Sequence, residues 1–156
     1  MPSITEGMKA PAFDLPSSGG GRVSLKALKG QAVVLYFYPK DDTPGCTVEA
    51  CEFGERHKAI VRQGAVLLGV SPDDAARHDK FIAKFKLPFT LLADTEHQVC
   101  EAYGVWVEKS MYGKTFMGVQ RSTFLIDGAG VVRRAWPKVK PEGHAAEVLE
   151  AIKELR

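Results

Sequence analysis

The chain has 156 residues, 45% of them apolar and 26% charged, a composition that suits one globular domain with its own hydrophobic core. Net charge is only +2 and no basic stripe with interleaved aromatics is present, which argues against a nucleic-acid partner. The opening MPSITEGMKA lacks the basic-then-apolar order of a secretion signal, and the longest apolar run, AVVLYFY, is too short to span a bilayer, so a cytoplasmic protein with no membrane partner is expected.

APAFDLPSSGGGRVSL reads as a short hairpin, Phe13–Leu15 returning as Arg22–Leu25 around a glycine-rich turn. QAVVLYFYP is a near-continuous apolar run stopped by Pro39, the pattern of a buried central strand. Beyond the loop KDDTPG a helix is expected from about Cys46 to Gln63, ended by Gly64. AVLLGVS is a second buried strand, and SPDD, with Pro72, Asp73 and Asp74, opens a helix that runs to about Phe85. FTLLAD is a short strand and DTEHQVCEAYG a short helix with Asp94 or Thr95 as its N-cap. VWVEKSMYGKTFMGVQ carries little pattern and is expected to be a long loop. STFLID and VVRRAW form strands joined by the turn DGAG, and GHAAEVLEAIKELR is an amphipathic helix with Val148, Ile152 and Leu155 at helical spacing. The order predicts an α/β fold over residues 1–156: a central mixed β-sheet flanked by helices on both faces, preceded by an N-terminal β-hairpin.

Three cysteines are too few, and odd in number, for a structural disulfide framework. Two of them, Cys46 and Cys51, stand five apart in a predicted helix. Positions i and i+5 of a helix have Cα atoms about 8.5 Å apart. A disulfide needs about 4.4–6.8 Å. Either the thiols ignore each other or the helix opens for them to meet. Cys46 falls in the first turn, where free N–H groups and the helix dipole favour an anion, hence the nucleophilic thiolate. Thiolate formation alone gains only about 30-fold, so a fast catalyst also needs groups that act on the bond being broken. Thr43 can supply a hydroxyl, Arg121 a permanent cation, and Glu49 a carboxylate one turn after Cys46 that would hold the guanidinium.

YPKDDTPGC carries Pro39, Thr43 and Cys46 in the P-x-x-x-T-x-x-C pattern of peroxiredoxins, and CTVEAC resembles the bacterioferritin-comigratory, or Q, subfamily. APAFDLP, VVLYFYP, DTEHQVCEAYGVW, MYGKTFMG and RSTFLID extend the resemblance nearly end to end. It implies a thioredoxin-like fold that reduces hydrogen peroxide and organic hydroperoxides without haem, metal or flavin. By the same resemblance Cys46 is the peroxidatic cysteine and Cys51 the resolving one. Thr43 and Arg121 would bind the peroxide, Pro39 shield the thiolate, and Glu49 orient the arginine. Thioredoxin or a similar dithiol would reduce the resulting intramolecular disulfide. Dimeric peroxiredoxins usually resolve through a C-terminal cysteine of the partner subunit; no cysteine follows Cys100 here, so the resemblance implies resolution within one chain and a monomer.

Plainer readings accompany each residue. Cys100, beside Val99 and Tyr103, is expected to pack in the core, and Cys51 competes as a buried helix-face cysteine. Taken singly, Thr43 is a loop or cap residue, Glu49 a solvated helix charge and Arg121 a strand-edge cation. Zinc on Cys46, Cys51 and His57 lacks a fourth ligand at finger-like spacing, and His78, His97 and His144 are expected to be solvated. Trp106, Met111, Tyr112, Phe116 and Met117 either form an apolar rim for organic hydroperoxides or a reductase, or pack beneath their loop. Two other functions remain open: a general thiol–disulfide oxidoreductase, for which the expected C-x-x-C is missing, and a non-catalytic redox-sensing module.

Overall fold

The computed structural model describes residues 4–155; the first three residues of the opening MPSITEGMKA, and Arg156 at the end of the last helical stretch, lie outside them. The centre is a five-stranded mixed sheet in the order β5-β4-β3-β8-β9. Strands β3 (Ala32–Phe37), β4 (Ala65–Ser71) and β5 (Thr90–Ala93) run parallel, while β8 (Ser122–Ile126) and β9 (Val132–Trp136) are antiparallel additions on the other side of β3. Both faces of β3 are buried, which is why its sequence reads as an unbroken apolar run.

Alternation along β3 divides the core. Val34, Tyr36 and Tyr38 point to one face, where they meet Phe53 and Ile60 of α1 (Pro44–Arg62), Phe81 of α2 (Ala75–Phe85), and Val148 and Ile152 of α4 (His144–Glu154). Val33, Leu35 and Phe37 point to the other, with Val99 and Cys100 of α3 (Gln98–Ala102) and with Phe13 and Leu15. The N-terminal hairpin pairs β1 (Asp14–Pro16) with β2 (Arg22–Ser24), so the predicted layers and hairpin are present. Across the sheet, Tyr36, Gly69 and Leu91 lie in one row. The Tyr36 ring covers Gly69 so closely that a Cβ there would stand 2.9 Å from it and 2.7 Å from Leu91.

Two expectations are corrected. Residues 105–120 are no loop: β6 (Trp106–Met111) and β7 (Lys114–Val119) form an antiparallel hairpin. Tyr112 and Gly113 at its tip both have positive φ, 52° and 78°, as a tight two-residue hairpin turn requires. The residue that caps α3 is His97, in the left-handed region at φ 48°, and not Asp94 or Thr95. Asp94 nonetheless serves that helix end from farther upstream, its carboxylate accepting from the N–H groups of Val99 (3.3 Å) and Cys100 (2.8 Å).

Candidate active site

Helix α1 begins just past the C-terminal end of β3, two residues earlier than its sequence suggests, because Pro44 occupies the first helical position, where no N–H is needed. Thr43 is the N-cap with extended backbone, and Cys46 is the third helical residue. That residue is 2% exposed, at the helix end where N–H groups lack intrahelical partners. Arg121, immediately before β8, reaches across to it: Nη2 donates to Cys46 Sγ at 3.2 Å and Nη1 to Glu49 Oε1 at 2.6 Å. One guanidinium therefore joins sulfur and carboxylate, the planar fork that a lysine cannot reproduce. A Cβ on Gly45 would stand 3.3 Å from Arg121 Nη2, so the glycine leaves the cation its room.

Glu49 is 1% exposed, not a solvated helix charge, and its Oε2 has no hydrogen-bond partner. Burial pushes its carboxyl up to about 7, against the pull of Arg121 in the opposite direction. The Tyr36 hydroxyl, also buried and unpartnered, is held well above its usual range first by burial and then by the charges of Glu49 and Cys46. Burial and the nearby Arg121 lower the Lys109 amine on β6, while Cys46 raises it. Lys109 thus feels the charges of the site from a strand that its sequence gave no reason to anticipate.

The remaining predicted residues are arranged less simply. Thr43 donates its hydroxyl proton to the Lys40 carbonyl at 2.9 Å. Pro39 is partly buried just beyond β3. Cys51 sits eight residues into an unbroken α1, half-buried and unbonded, in a cleft with Gly54, Phe85, Leu87 and Pro88. Five helical steps turn it about 140° from Cys46 around the axis. The reduced site thus holds the two cysteines apart. Burial, and then Glu55, raise the Cys51 thiol. Cys100 is a fully buried core residue whose thiol burial and Asp94 push far upward.

His78 and His144 are not solvated. His78 lies between Asp41 Oδ2 (Nδ1, 2.7 Å) and the Leu92 carbonyl (Nε2, 2.8 Å), and His144 between Glu147 (2.7 Å) and Thr123 (2.8 Å). Met111, Tyr112, Phe116 and Met117 do not pack beneath anything; they are exposed on β6–β7, Tyr112 at 96%. Trp106 is half-buried and stacks on the His97 ring with centroids 4.2 Å apart. Among the described residues no three of His, Cys, Asp or Glu gather as metal ligands, and no helix is long and apolar enough to cross a membrane.

The sequence pattern of the AhpC/TSA family matches residues 7–135. A putative peroxiredoxin Bcp of Coxiella burnetii is 53% identical over 94% of this chain and 97% of its own length, and the peroxiredoxin Bcp of Bacillus subtilis is 48% identical over 98% of each. The solved Xanthomonas campestris bacterioferritin comigratory protein superposes with a TM-score of 0.88 at 45% identity, covering 92% of this chain and 91% of that one. Its structures are of trapped intermediate and ligand complexes that bear on alkyl peroxide reduction. The fold is thioredoxin-like. With sequence, architecture and the buried cysteine–arginine contact in agreement, the chain belongs to the AhpC/TSA family, among the peroxiredoxins of the Bcp/Q type.

Proposed function

We propose that this single-domain protein is a thiol peroxidase that reduces hydrogen peroxide and organic hydroperoxides through Cys46, with Cys51 as the resolving thiol and thioredoxin or a similar dithiol as reductant. The contact that carries the reading is Arg121 Nη2 on Cys46 Sγ, with the same guanidinium braced by Glu49. A thiolate held beside a fixed cation attacks one peroxide oxygen: the S–O bond forms and the O–O bond breaks. The electron pair leaves on the distal oxygen, which takes up a proton to become water or an alcohol, and the sulfur becomes a sulfenic acid. Arg121 is placed to stabilise the negative charge as it moves from sulfur to oxygen. Thr43, its own proton committed to Lys40, offers a bound peroxide an acceptor, and Pro39 shields the sulfur's approach.

Resolution needs the first turns of α1 to unwind, because the helix holds the thiols too far apart and on different faces. Cys51 then loses its proton and attacks the sulfenic sulfur, hydroxide leaves as water with that proton, and a disulfide forms. A dithiol reduces it by exchange. Because both cysteines lie in one chain, a monomer in the cytoplasm suffices. Peroxide-dependent NADPH oxidation with thioredoxin and thioredoxin reductase tests the assignment. Cys46→Ser should abolish it, whereas Cys51→Ser should keep the first oxidation and lose turnover. Normal cycling by Cys51→Ser would remove Cys51 from the mechanism, and sedimentation of the protein as a stable dimer would remove the monomer.

A further inference from the structure

The loop from Tyr38 to Thr43 carries the approach to Cys46, and it is fixed by a buried cluster that the chemistry above does not use. Tyr38 donates its hydroxyl to Asp41 Oδ1 at 2.5 Å. Asp41 Oδ2 faces His78 Nδ1 at 2.7 Å, and His78 Nε2 faces the Leu92 carbonyl at 2.8 Å. All three side chains are buried, His78 completely. Both nitrogens of that imidazole meet oxygens, one of a carboxylate and one of a carbonyl, so the ring is held at both ends. Burial keeps the Tyr38 phenol far above its usual range, which fixes it as a donor. The loop is thereby tied to α2 and β5 at once.

The tie reaches Thr43 through one peptide unit. The Asp41 N–H donates to Asp73 Oδ2 at 2.8 Å, and the carbonyl of the same peptide, that of Lys40, accepts the Thr43 hydroxyl at 2.9 Å. Asp73 is itself held by Ser71 Oγ at 2.7 Å and Arg77 Nε at 3.2 Å. Between the two residues, Asp42 adopts the left-handed φ of 59° that an aspartate tolerates, and its carboxylate pairs with Lys84 at 2.8 Å. We infer that Asp41, clamped by His78 and Tyr38, is a positioning residue for peroxide attack: it sets the Lys40–Asp41 peptide and so the place and direction of the Thr43 hydroxyl. The inference rests on the assignment of Cys46 and Thr43 made above and adds three residues to it.

The clamp does not touch the Arg121–Glu49–Cys46 contact, so it should separate two reactivities of the same sulfur. In reduced Asp41→Ala, oxidation of Cys46 by hydrogen peroxide, followed by sulfenate trapping and mass spectrometry, should slow ~10- to 100-fold. Alkylation of Cys46 by iodoacetamide, which needs thiolate but no peroxide site, should stay within about threefold of wild type. Asp41→Asn should restore most of the peroxide rate, since the amide oxygen still accepts from Tyr38 and its N–H can donate to a neutral His78 ring. Should Asp41→Ala fail to fold, Tyr38→Phe keeps the packed ring and removes only the hydroxyl, and should show the same selective loss at about three- to tenfold. Equal loss of both reactivities, a wild-type peroxide rate in both Asp41→Ala and Tyr38→Phe, or an Asn variant no better than Ala would overturn the inference. A Cys46→Ser blank separates the levels: if it takes no label, such a failure counts against the clamp alone, and if it is still oxidised at the wild-type rate, the assignment of Cys46 goes too.

Discussion

Arg121 divides its two terminal nitrogens between a sulfur and a carboxyl oxygen, and the consequence of that division is open to measurement. Arg121→Lys keeps the charge but cannot meet Cys46 Sγ and Glu49 Oε1 together. Loss of a fixed donor to developing charge is worth about 100- to 1,000-fold in rate. The second-order rate of Cys46 oxidation, read by stopped flow, should fall by that order, and a change under about threefold would discount the contact. Glu49 gives a prediction of a different kind. Its carboxyl, normally near 4.5, is pushed up to about 7 by burial, so between those values the folded chain holds a proton that the unfolded chain releases. Stability from this group therefore declines as pH rises through that window. Glu49→Gln, which cannot titrate, should flatten the decline, gaining up to about 3 kcal/mol relative to wild type between pH ~5 and ~8 in urea unfolding. At this scale the placement of Thr43 and Cys46 together at a helix start was legible from the sequence, because both lie in one short stretch. The burial of Asp41 and His78 was not, because only the fold brings residues from separate elements to them; the Asp before the helix and the His within it carry no mark of burial.

In the proposed cycle residues 44–52 of α1 are the element that must open. They are tied at Arg121 through Glu49, and again where Glu52 Oε1 accepts from the Gly143 N–H at 2.8 Å, joining α1 to the loop before α4. An exposed hydrogen bond of that kind is worth about 1 kcal/mol. Glu52→Ala should thus make the local opening easier and disulfide formation about fivefold faster after a peroxide pulse, while leaving the oxidation step alone. Amide exchange should show the gain confined to residues 44–52, and unchanged resolution would mean that the tie does not govern opening. Elements were read unevenly from the sequence. The strands β3, β4 and β8 declared themselves by apolar runs, and α2 by Asp74, whose carboxylate accepts from the Arg77 N–H at 2.9 Å. Strands β6 and β7 escaped because most of their residues are half-buried or exposed, leaving no alternation of apolar and polar to detect. Their turn uses Tyr-Gly in place of the usual Asn-Gly, and Gly113 was the only available clue.

At the scale of the molecule, two apolar clusters sandwich one sheet, and the row Tyr36–Gly69–Leu91 lies across its parallel half. Gly69 has no side chain because its neighbours' side chains occupy the space. Gly69→Ala should cost about 1–3 kcal/mol by overpacking and lower Tm by roughly 3–10 °C for a chain of this length. Calorimetry of the reduced protein checks this, and an unchanged Tm would mean that the row has slack. The sequence conveyed the layers and the sheet but not this row, since register is a property of pairs of strands and not of either alone.

Phe53 is fully buried two residues beyond Cys51, with its ring 4.7 Å from that of Tyr36, and Ile60 is buried with it. In the proposed cycle the rear half of α1, from Phe53 onward, therefore stays wound while the front opens, and serves as a seed when the disulfide is cleaved. Regrowth from an existing end skips the slow initiation that a free helix must undergo and takes nanoseconds per residue. Re-arming the thiol should accordingly keep pace with any reductant that can reach it.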